Sequence, residues 1–96
     1  MTYEDAVAVL REWCGERVLV DLAPEESHME GTLSELDPAG VDGALFAVDH
    51  AELSGVAVAL FRDSVEHVSR EGDTLVVRQG KVTLTVTCGG RRSGRG

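Results

Sequence analysis

A mostly β fold is what this chain predicts: a small, strongly bent antiparallel barrel, an N-terminal α-helix laid across it, and a C-terminal β-hairpin. Three observations carry that expectation. Residues 2–14 place apolar side chains at helical spacing, the short apolar runs after residue 17 are each broken by a turn signal, and the final run alternates apolar residues with threonine. Ninety-six residues make one domain with one hydrophobic core. Aromatic residues are 4% of the chain (Tyr3, Trp13, Phe46 and Phe61), so that core has to be built from Val, Leu and Ala. The β-branched valines favour strands.

In the first element, Tyr3, Ala6, Val7, Leu10, Trp13 and Cys14 form one apolar stripe, with Glu4, Asp5, Arg11 and Glu12 off it. Thr2 followed three residues later by Asp5 predicts a reciprocal cap. Glu4 and Asp5 also suit the positive end of the helix dipole. Gly15 supplies the left-handed residue that ends the helix.

Residues 17–22 form the first strand, with Val18, Val20 and Leu22 on one face and Arg17, Leu19 and Asp21 on the other. Residues 28–36 form the second, where Gly31 predicts a sharp bend or bulge. The turn signal Asp37-Pro38-Ala39-Gly40 precedes a third strand at 44–49. Residues 56–61 are apolar at every position, which predicts a strand that is central or sits at a subunit contact. A fifth short strand follows at 65–69. Residues 74–78 and 81–87 flank Gln79-Gly80 as a hairpin, with Val82, Leu84 and Val86 inward and Thr83, Thr85 and Thr87 outward. Residues 1–88 thus read as a single domain. Residues 89–96, with no apolar side chain, read as a disordered basic tail.

The formal charge is −8. Setting aside Arg91, Arg92 and Arg95 leaves six basic against seventeen acidic residues, a body of −11. Such a surface repels phosphate and disfavours nucleic acid. Cys14 and Cys88 form no CxxC pair and no secreted framework. The N-terminus lacks the basic start of a signal peptide, and no run approaches the roughly 20 apolar residues that span a bilayer. The expectation is a cytoplasmic protein with no membrane partner.

A family resemblance adds to this reading. Gly15, Val18, Val20 and Leu22, then a loop, then Gly31, Leu33 and Asp37 resemble the opening of Sm-like proteins. The segment VALFRDSVEHV is similar to the fourth-strand, short-turn, fifth-strand region of the bacterial Sm-like RNA chaperones, the Hfq group. The likeness covers roughly residues 5–69. It implies an Sm-like or SH3-like small barrel with a tendency to form rings or dimers. The departures bear on activity. Where eukaryotic-type Sm proteins place a base-holding Asn after the closing Asp, this chain has Pro38, Ala39, Gly40 and Val41. Where they carry Arg-Gly, Arg62 is followed by Asp63, and that carboxylate also replaces the His of the Hfq group's Lys-His pair.

No residue set announces a reaction. His28, His50 and His67 each have acidic neighbours, but in so acidic a chain that proximity is expected by chance. His50-Ala51-Glu52 matches half of a zinc-deaminase signature whose CxxC half is absent. Cys14 ends an apolar stripe at a helix C-terminus, where the dipole disfavours a thiolate, so a packed, inert thiol is expected. Cys88 abuts the tail and reads as exposed. Glu35 and Asp37 share a strand face beside a turn and read as solvated. No catalytic residue, metal site or cofactor is assigned.

The first expectation is therefore a non-catalytic interaction module. It would form homo-oligomers, or take a protein partner, through edge strands and the apolar residues Leu19, Val56, Val58, Leu60 and Phe61. The alternative is an Sm-like RNA-binding protein using Arg62 and the tail arginines Arg91, Arg92 and Arg95.

Overall fold

The computed structural model describes residues 2–24, 27–37, 40, 42–49 and 56–88. Helix α1 spans Tyr3–Glu12. Its start is the reciprocal cap expected of Thr2 and Asp5. The Asp5 N–H donates to the Thr2 hydroxyl at 3.3 Å, and the Thr2 N–H donates to the Asp5 carboxylate at 2.8 Å. Trp13 closes the helix and Gly15 follows at φ +91°, a conformation that side chains resist. The buried face is Ala6, Val7, Val9 and Leu10.

Seven strands follow: β1 (Arg17–Ala23), β2 (Ser27–Leu36), β3 (Gly43–Asp49), β4 (Val56–Phe61), β5 (Val65–Glu71), β6 (Thr74–Gln79) and β7 (Val82–Cys88). All pair antiparallel in one sheet of order β4-β3-β2-β1-β7-β6-β5. The expected barrel is corrected here, because the ladder does not close: β4 and β5 stand at opposite ends of the sheet. A five-stranded meander could close only by pairing its fifth strand with its first. That edge of β1 belongs to β7, from Val18 opposite Cys88 to Ala23 opposite Thr83. Short turns containing Gly72 and Gly80, both at φ +61°, tie β5 to β6 and β6 to β7. With β7 against β1, β5 is carried to the outside. The C-terminal hairpin is thus part of the sheet rather than an appendage. Of the two expectations for β4, the central position is overturned, because β4 is an end strand.

The sheet nonetheless curls. Val58 and Leu60 of β4 and Val68 of β5, from its two ends, join one core with Leu10, Trp13, Phe46 and Val77. Gly31 lies at the place where β2 changes partner. Residues up to Thr32 pair with β1, and residues from Thr32 onward pair with β3. A Cβ at Gly31 would sit 2.1 Å from the Asp49 carbonyl oxygen, so only glycine allows that approach. The register runs through Gly31 unbroken; the irregularities lie between Phe46 and Ala47 in β3 and between Val65 and His67 in β5. The β1–β2 ladder continues into the helix exit, where the Gly15 N–H donates to the Leu33 carbonyl at 2.7 Å and the Leu33 N–H to the Glu16 carbonyl at 3.0 Å. Among the described residues, the core holds no polar or charged side chain, and no helix is long and apolar enough to cross a membrane.

Candidate interaction site

The chemistry-bearing residues gather where β4 ends and β5 begins, beside the start of the helix. On β6, Leu75, Val77 and Gln79 recur at every second position, and the first two are fully buried. The Gln79 amide stands at the end of that inward row, against β4. Its oxygen accepts the Phe61 N–H at 2.7 Å, and its NH2 donates to the Ala59 carbonyl at 2.8 Å. The Phe61 carbonyl accepts from the Ser64 N–H at 2.9 Å. The end of β4 is therefore satisfied from within the chain on the edge away from β3, where no strand pairs with it among the described residues.

Arg62 anchors the same corner. Its backbone N–H donates to the Asp42 carbonyl at 3.0 Å and its Nε to the Asp42 carboxylate at 3.1 Å. A terminal nitrogen donates to Glu4, and the guanidinium stacks over the Tyr3 ring, 4.6 Å from its centroid. The hydrogen bond with Asp42, then that with Glu4, raises the guanidinium pKa above its ordinary value. A groove of about 380 Å³ runs between the helix start and β5, lined by Tyr3, Glu4, Arg62, Val65 and Glu66 among others. On the other side of Tyr3 a second groove of about 280 Å³ contains Arg11 and Glu35, which pair at 2.9 Å.

The apolar residues singled out in the sequence part ways. Val58 and Leu60 point into the core, while Leu19 and Phe61 are exposed, at 38% and 40%. Leu19 belongs to β1 and Phe61 to β4, three strands apart in the sheet. The side chain of Val56 lies outside the described residues, as do Arg91, Arg92 and Arg95. Sequence reasoning did not single out Gln79, although a polar residue ending an inward alternation was a readable signal. Val82, expected to face inward with Leu84 and Val86, is instead exposed at 38% because it opens its strand, while the other two are buried.

Histidine and cysteine chemistry stays local. His28 Nδ1 contacts the Asp21 carboxylate across β1 and β2. His50 lies outside the described residues. Among the described residues, no group of His, Cys, Asp and Glu is arranged to hold a metal ion. Cys14 packs against the core, and burial first, then Glu35, raises its thiol pKa while Arg11 opposes them. Cys88, expected to be exposed, is buried: it continues the inward row of Leu84 and Val86. Compared with protein-family models, curated proteins and solved structures, the chain matches none.

Proposed function

We propose that this chain is a non-catalytic interaction module that associates with copies of itself through an edge strand. One observation supports the reading above the others: the sheet ends at β4 and β5 without those strands pairing. An exposed edge is a template for another strand, and symmetric assembly covers it. Gln79 and Ser64 already satisfy the end of β4. Among the described residues, β5 has a strand on its β6 side and none on the other. The ring- or dimer-forming tendency implied by the Sm-like resemblance points the same way. The exposed side chains of Leu19 and Phe61 add apolar surface for contacts beyond the edge.

Size-exclusion chromatography with light scattering, over a wide range of protein concentration, tests the proposal. The expected mass exceeds that of one chain at high concentration and falls on dilution. A single-chain mass throughout rejects it.

A further inference from the structure

We infer that the occupant of the β5 edge is β5 of a second copy, paired antiparallel about Val68 so that Glu66 of each chain faces Arg70 of the other. The inference rests on the self-association reading and adds the strand, the register and the charges that select it.

Two observations on β5 carry it. First, Glu66 has no partner on β6: the ladder pairs Val65 with Gln79 and His67 with Arg78, leaving Glu66 as the extra residue of a bulge. Bulges of this kind re-aim a side chain. Glu66 is exposed, lines the groove beside the helix start, and makes no ion pair among the described residues. Second, Arg70 does not turn back toward Glu66. Its Nε donates to the Gly72 carbonyl at 3.0 Å and its guanidinium lies over the Trp13 ring, 5.4 Å from the centroid. No carboxylate engages its terminal nitrogens among the described residues. One strand thus carries an acid and a base, two residues either side of Val68, and neither neutralises the other within the chain.

A two-fold axis at Val68 resolves both at once. It sets Glu66 opposite Arg70 twice and His67 opposite Ser69 twice, and directly opposed unlike charges stabilise an antiparallel pair. The incoming Arg70 would enter the groove that Glu4 and Glu66 line. Centring on His67 leaves both charges unmatched. Centring on Ser69 places His67 against Glu71 and Val68 against Arg70, with Glu66 beyond any charged partner. Charge complementarity therefore singles out the Val68 register. It also counters the repulsion between two chains of net charge −8.

Sedimentation equilibrium on the full chain and charge-reversed variants tests the register. Glu66→Arg and Arg70→Glu are each expected to weaken the dimer about tenfold or more, since each turns two opposed pairs into like-charge contacts. An equimolar mixture of the two variants should recover the dimer, because each then presents the complement of the other. The double variant, Glu66→Arg with Arg70→Glu in one chain, should recover it as well. Thermal melts of each variant establish folding, which the exposed position of Glu66 leaves intact. A wild-type dimer unchanged by either reversal overturns this inference and leaves the self-association reading standing. So does a dimer that Glu71→Arg weakens and Glu66→Arg does not. A wild-type chain that is monomeric at every concentration removes both.

Discussion

Gln79 does for Phe61 what a neighbouring strand would do. Its side-chain oxygen takes the Phe61 N–H at 2.7 Å while its NH2 serves the Ala59 carbonyl at 2.8 Å. One amide thereby reproduces the donor–acceptor pair of a strand ladder on the edge of β4 that faces away from β3. Gln79→Ala leaves both backbone groups without that partner. The expected cost is about 1–3 kcal/mol, the range for stranding partly buried polar groups. Denaturant titration measures it, and hydrogen exchange should report faster loss of protection at the Phe61 amide. Gln79→Glu keeps the acceptor for Phe61 but sets an anionic oxygen against the Ala59 carbonyl, so it should be no better than alanine. An alanine variant with wild-type stability would reassign those bonds to solvent.

Gly31 permits the fold-over of β2 by what it lacks. A Cβ there would meet the Asp49 carbonyl oxygen at 2.1 Å and a Val48 methyl at 2.9 Å. The first neighbour is backbone in a paired strand and cannot swing aside. Gly31→Ala should therefore cost about 3 kcal/mol or more, at the upper end of overpacking effects. Retained stability would mean that β2 and β3 can separate at Thr32 without loss, and chemical denaturation decides the point.

The elements themselves were readable from local pattern. The stripe from Tyr3 to Trp13, the Thr2–Asp5 cap and the alternation of Val18 with Val20 are short-range signals, and the structure realises each of them. The order of strands was not readable in the same way. Whether β5 or β7 lies against β1 is a long-range pairing that alternation within a strand does not specify, and both candidates carry suitable valines. The same limit applies to Arg62. Its partner Glu4 is 58 residues away and its partner Asp42 is 20 away, so the sequence displays a lone cation where the fold has built a clamp. Cys88 lies between these cases: its parity with Leu84 and Val86 announced burial, while its closeness to the tail suggested the reverse.

Arg62 joins the helix start, the segment before β3 and the β4–β5 turn through Glu4, Tyr3 and Asp42. Arg62→Ala should lower Tm by several degrees and speed hydrogen exchange in the first helical turn. Arg62→Lys keeps the charge but loses the planar stack and the fork of donors, so partial recovery is expected. Calorimetry separates this from a role in holding RNA. An alanine variant that melts like the wild type but loses salt-sensitive affinity for uridine-rich single strands would make Arg62 a phosphate contact instead of a brace.

Cys14 makes the alkaline limb of stability a readout of the helix exit. Burial and the nearby Glu35 carboxylate raise its thiol above the ordinary value of 9.0, with Arg11 pulling the other way. In the unfolded chain the thiol ionises near that ordinary value, while the folded chain still holds its proton. Above pH 9.0 the unfolded state thus binds fewer protons than the native state, and stability falls as pH rises until the native thiol also ionises. Below that window the contribution is fully present. Cys14→Ala should flatten this limb relative to wild type while leaving the acid limb unchanged, as followed by denaturant midpoints across alkaline pH. The same burial predicts slow alkylation of Cys14 by iodoacetamide at mildly alkaline pH, read by peptide mass spectrometry against the unfolded chain. Equal alkylation rates in the folded and unfolded chains, with an alkaline limb that the alanine variant does not alter, would place the thiol in water and detach it from the core.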